Sequence, residues 1–80
     1  MSAAHDRVVA DPAIMLGKPT IRGTRITVEL ILRKLGEGMP IEELLEAHPR
    51  LTAEDVRAAQ RFAADYLAEE DITYGRAAAE

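Results

Sequence analysis

Glycine and proline cut this chain into short pieces, and the pieces decide what it can become. Gly17, Pro19 and Gly23 interrupt the first third, Gly36, Gly38 and Pro40 fall close together in the middle, and Pro49 follows. Proline removes a backbone donor and fixes φ, while glycine loses the most conformational freedom when it is ordered, so regular elements are expected to stop at these points. Between them, each piece carries its own periodicity.

Val8 to Leu16 reads as an extended segment interrupted at Asp11-Pro12, where a turn or sheet edge is expected. Thr20, Ile21, Ile26 and Thr27 are β-branched and suit short extended pieces. Thr27 is placed to cap a helix, behind which Val28, Ile31, Leu32 and Leu35 fall at i, i+3, i+4 and i+7, with Gly36 and Gly38 as stop signals. Pro40 suits the first position of a second helix, with Glu42 and Glu43 near the positive end of its dipole and Ile41, Leu44 and Leu45 on its apolar face. Pro49 disfavours helical geometry at His48 and limits that helix to about two turns.

The clearest start signal is Thr52-Ala-Glu-Asp55, a capping box flanked by Leu51 and Val56 at the spacing of a hydrophobic staple. From there Val56, Ala59, Ala63, Tyr66 and Leu67 line one face, with Phe62 at its edge. Glu69-Glu70-Asp71 ends this helix badly, since acids oppose the negative end of the dipole. The expected fold is mainly α: a small three-helix domain of helix-turn-helix outline, preceded by short β-strands or an extended segment. Residues 8–68 are expected to form that single domain, between an N-terminal tail (1–7) and an acidic C-terminal tail (69–80).

Eighty residues allow one core. Such a chain buries only roughly 60–65 % of the surface its unfolded form exposes, so oligomerisation is a common way to add stability. The absence of cysteine excludes disulfides, thiolate zinc sites and a cysteine nucleophile together. Ala13 to Leu16 is the longest purely apolar run, and the first residues lack the apolar stretch of a signal peptide, so a soluble cytoplasmic domain is expected. His5 and His48 have no neighbouring ligand at metal spacing, and Glu42, Glu43 and Glu46 suit a solvated helix face. Gly17-Lys18 lacks the rest of a phosphate loop. No catalytic residue, metal or cofactor is therefore expected.

Charge is divided along the chain. Arg7 to Lys34 holds six basic residues against two acidic ones, whereas Glu37 to Glu80 holds four basic against eleven acidic. Such asymmetry hints at nucleic acid on one side and another partner on the other. Lys18, Arg22, Thr24 and Arg25 are the candidate DNA contacts: cations displace counterions from phosphates, and a hydroxyl adds a positioning bond. In a regular strand Lys18, Arg22 and Thr24 would share one face. The competing expectation is a structural turn whose arginines pair with acids of the same chain. The third helix begins with Glu54 and Asp55, which oppose phosphates, and its Arg57 and Arg61 are accompanied by Glu54 and Asp65, so the usual recognition-helix pose is disfavoured.

Asp11-Pro, Gly17-Lys-Pro-Thr-Ile-Arg-Gly-Thr-Arg-Ile-Thr-Val, Gly38-Met-Pro-Ile-Glu-Glu-Leu-Leu and His48-Pro-Arg-Leu-Thr-Ala-Glu-Asp-Val closely resemble the bacterial and archaeal family called domain of unknown function 433, over about residues 8–68. Leu16 departs from the pattern, because the family often carries a second glycine there. The resemblance implies a homeodomain-like helix-turn-helix fold, a dimer, and an antitoxin role in a type II toxin–antitoxin pair opposite a PIN-like nuclease toxin. It carries over no catalytic residue. On this reading operator DNA meets the Lys18 to Arg25 segment, and the toxin docks on Glu69, Glu70, Asp71, Ile72 and Tyr74. The alternative is a protein-interaction or dimerisation module that binds no nucleic acid.

Overall fold

The computed structural model of the chain describes residues 5–69. Strands β1 (Val8–Val9) and β2 (Thr20–Ile21) form a two-stranded antiparallel sheet, followed by helices α1 (Val28–Gly36), α2 (Ile41–Ala47) and α3 (Ala53–Glu69). In the sheet Val8 stands opposite Ile21 and Val9 opposite Thr20. Thr20 also bridges to Thr27, and the Val28 N–H donates to the Pro19 carbonyl, so the sheet is tied to the first turn of α1.

Each helix start obeys local chemistry. The Thr27 hydroxyl accepts from the Leu30 N–H at 2.9 Å, the expected cap of α1. Thr52 and Asp55 form a reciprocal capping box: the Asp55 N–H donates to the Thr52 hydroxyl at 3.1 Å, and the Thr52 N–H donates to Oδ2 of Asp55 at 3.0 Å. Both staple residues, Leu51 and Val56, are buried in one cluster. At the end of α1 the Gly38 N–H reaches the Leu35 carbonyl and the Met39 N–H reaches the Lys34 carbonyl, with Gly38 at φ +98°. That paired closure is a Schellman motif, which puts glycine in the left-handed position.

The core lies where β2 and the three helices meet. Ile21, Val28, Ile31, Leu44, Leu51, Val56 and Ala59 form its buried cluster, with Val8, Ile26, Leu35 and Phe62 among the side chains packed around it. The apolar stripe expected of α1 is thus its inward face, and α2 contributes mainly Leu44.

Four details differ from the sequence reading. Pro40 caps α2 from outside, at ψ 149°, and Ile41 is the first helical residue. Ala13 to Leu16 is not extended: Asp11 Oδ1 accepts from the Ala13 N–H at 2.9 Å, and Met15, Leu16 and Gly17 then coil at φ +49°, +58° and +84°. The Asx turn at Asp11 competes successfully with strand formation. His5 to Arg7, read as the end of a tail, lie against α3: the His5 ring meets Phe62 edge-on at 5.3 Å, and Arg7 pairs with Asp55 at 3.0 Å. At the other end, Glu69 is the last residue of α3, while the remaining tail residues Glu70, Asp71, Ile72 and Tyr74 lie outside the described residues.

Candidate functional site

The basic segment folds as a tight turn rather than a strand. The Thr24 N–H donates to the Ile21 carbonyl at 3.0 Å and the Ile21 N–H to the Ile26 carbonyl at 2.9 Å, closing a loop over Arg22 to Arg25. Gly23, at φ +81°, occupies the third position of that turn, where a type II turn calls for glycine. Thr24 is consumed by the loop, its hydroxyl donating to the Ile21 carbonyl at 2.8 Å and accepting from the Ile26 N–H at 3.0 Å. Thr20, which alternation would set beside Lys18 and Arg22, is instead fully buried under the sheet.

The turn separates the four expected DNA contacts. Lys18 leaves the group: its Nζ lies 3.1 Å from Oε1 of Glu29 on α1, and Arg33 holds the other oxygen at 2.9 Å. The hydrogen bond from Arg33, then that from Lys18, holds the Glu29 carboxyl below its ordinary value of 4.5. Arg22 turns toward the N-terminal arm, its Nε donating to the Asp6 carbonyl at 2.8 Å. Arg25 and Thr24 line a shallow depression of about 580 Å³ with Ile14, Ile26 and Arg50.

Arg50 is the residue that sequence reasoning missed. It lies between α2 and α3, where its Nη2 donates to the Gly23 carbonyl at 2.8 Å, across 27 residues of sequence. Its position between Pro49 and Leu51 gave no sign of that partner; only the fold brings it to the turn.

Pairing sorts the cations cleanly. Arg7, Lys18, Arg33, Lys34, Arg57 and Arg61 each lie within 4.0 Å of a carboxylate. Arg22, Arg25 and Arg50 have no carboxylate partner among the described residues, and all three sit on or against the Gly23 turn. An exposed guanidinium whose only protein partner is a carbonyl keeps most of its donors and its full charge for an incoming anion. The expectation that the segment's arginines are bound to the chain's own acids therefore fails for Arg22 and Arg25 and holds for Lys18.

Helix α3 shows the opposite arrangement. Glu54 binds Arg57 at 2.9 Å and Arg61 at 3.4 Å, so these arginines are occupied. The two hydrogen bonds and the charge of Arg57, with a smaller contribution from Arg61, hold the Glu54 carboxyl below its ordinary range. Asp55 is buried and bound to Arg7 and Thr52. The start of α3 thus presents no free cation to a phosphate. Among the described residues no group of acids and histidines is arranged to hold a metal ion, and no helix is long and apolar enough to cross a membrane.

Comparison with known proteins places this arrangement in context. A family model described as protein of unknown function (DUF433) matches residues 8–63, which span the sheet, α1, α2 and most of α3. An uncharacterized protein, y4eO, of Sinorhizobium fredii is 38% identical over 63 residues, covering 79% of this chain but only 28% of its own length. The crystal structure of a DUF433 member from Anabaena variabilis superposes with a TM-score of 0.73 at 33% identity, covering 79% of this chain and 62% of that one.

Proposed function

The chain belongs to the DUF433 family, and because that family's description assigns no activity we propose a function from the site itself: the Gly23 turn is a phosphate-backbone contact of a DNA-binding antitoxin. One observation carries this reading, the gathering of Arg22, Arg25 and Arg50 at one turn with no carboxylate partner among the described residues. The three helices supply a helix-turn-helix-like scaffold, but the contact is made by the preceding turn, since α3 opens with Glu54 and Asp55. In the same proposal the acidic end of the chain, from Glu69 through Glu70 and Asp71 to Ile72 and Tyr74, docks a basic PIN-like nuclease toxin. Carboxylates at a nuclease repel its substrate or occupy its metal site.

Salt titration of binding to duplex DNA tests the first half. Each phosphate neutralised contributes about −0.9 to the slope of log K against log salt, so three arginines give about −3 per chain. A flat response overturns it. For the second half, truncation after Leu67 is expected to abolish toxin binding, and unchanged affinity removes the tail from the interface.

A second reading, an interaction module without nucleic acid, draws support from the open apolar groove between α1 and α3. Replacing Arg22, Arg25 and Arg50 by alanine separates the two. A folded triple variant that has lost DNA binding supports the antitoxin; a wild-type chain that binds no DNA supports the module.

A further inference from the structure

α3 is longer than the body it packs on. Its 17 residues run about 25 Å at 1.5 Å per residue, whereas α1 has 9 and α2 has 7. Ala59 is its last buried residue; Phe62 and Ala63 are half-buried, and every residue from Ala64 to Glu69 is exposed. The apolar stripe nevertheless continues along this overhang, leaving Tyr66 and Leu67 about half exposed. Between overhang and body opens a groove of about 740 Å³, floored by Val28, Leu32, Phe62, Ala63, Tyr66 and Leu67.

The two walls differ in charge. On the body side Lys18 and Arg33 share the single carboxylate of Glu29, leaving a net positive wall. From Phe62 to Glu69 the only charged residues are Asp65 and Glu69, at the negative end of the helix dipole. A surface with an apolar floor, one cationic edge and one anionic edge is complementary to itself. In a two-fold pair, the overhang of each copy meets the body wall of the other, so both contacts are attractive.

We propose that this groove is the seat of a second copy of the chain, each α3 overhang lying in the other's groove with Asp65 and Glu69 facing Lys18 and Arg33. The pairing covers Tyr66 and Leu67, gives a small core additional buried apolar surface, and leaves the Gly23 turn outside the interface. It does not depend on the nucleic-acid reading.

Charge exchange tests it by sedimentation equilibrium of the full chain, with circular dichroism checking that each variant folds. The wild type is expected to be a dimer. Lys18→Glu with Arg33→Glu sets like charges opposite each other twice, and so does Asp65→Lys with Glu69→Lys. Each double variant alone is expected to be a monomer at concentrations where the wild type pairs. Mixed together, they restore attraction at both contacts and are expected to form a heterodimer. A monomeric wild type, a double variant that dimerises like wild type, or a mixture that stays monomeric overturns the proposal. Should a charge variant fail to fold, Leu67→Asp takes its place, and an undiminished dimer overturns the proposal equally.

Discussion

Leu16 stands in a conformation that disfavours it and gains nothing visible in return. Its φ of 58° and ψ of 30° are left-handed helical, and its side chain is 93% exposed. Left-handed backbone costs an ordinary L-residue roughly 1–2 kcal/mol through the clash of Cβ with the following carbonyl. Glycine removes that clash, while its greater freedom in the unfolded chain takes back about 0.4–1 kcal/mol. The exposed leucine surrenders almost no burial. Leu16→Gly should therefore stabilise the domain by about 0.5–1 kcal/mol, net of these two effects. For a domain of this size that is a rise in Tm of about 2–8 °C. The assay is thermal unfolding followed by circular dichroism at a concentration low enough to keep the chain monomeric. Gly17→Ala is the matched control: at φ +84° an added Cβ meets only Pro12 Cα at 3.7 Å, so its penalty is conformational and the Tm should fall. A Leu16→Gly Tm at or below wild type, or a Gly17→Ala Tm that does not fall, refutes the strain argument.

Further outcomes follow from the ion pairs and caps. Arg25→Ala and Arg50→Ala should each leave the melting temperature within a few degrees of wild type while reducing the salt slope of DNA binding by about 1, whereas Lys18→Ala, already paired with Glu29, should change it less. Equal losses at all three positions would show that pairing does not select the contacts. Asp55→Ala removes the acceptor of both Arg7 and the Thr52 N–H and should cost about 1–3 kcal/mol by chemical denaturation, more than the roughly 1 kcal/mol expected of Thr52→Ala. The folded Glu29 carboxyl lies below its ordinary 4.5, so its stabilising contribution is present above that value and is lost as pH falls through the lower, folded value. Arg33→Leu should move the Glu29 titration upward by nuclear magnetic resonance, and an unmoved midpoint would exclude Arg33 as the leading cause.

What could be read without the structure was local. Thr27, Thr52, Asp55 and Gly38 act on groups within a few residues, and they behave as their spacing implies: two helix starts and one helix stop are closed by those side chains and that backbone. The stripes of α1 and α3 were equally legible, because a 3.6-residue period needs only the residues themselves. The errors begin where a single glycine or a turn resets direction. Alternation across Lys18, Thr20, Arg22 and Thr24 presumes a strand, yet β2 has two residues and the Gly23 turn follows at once. The left-handed turn at Met15 and Leu16 had no composition signal beyond the missing glycine at Leu16, since neither residue favours that backbone.

Charge was the least legible property, for a physical reason. The count of six bases against two acids between Arg7 and Lys34 says nothing of which cations remain available, because availability depends on acids brought in from elsewhere. Arg7 is neutralised by Asp55 across 48 residues, and Arg50 joins the turn across 27. The fold therefore redraws the basic patch: it removes Arg7 and Lys18 from the segment and adds an arginine from the loop before α3. Since an exposed pair contributes little to stability, Lys18 with Glu29 acts chiefly to settle where positive charge is displayed. Breaking that pair with Glu29→Gln should free Lys18 and broaden the cationic surface, which makes the choice of displayed arginines a property of the acids around them.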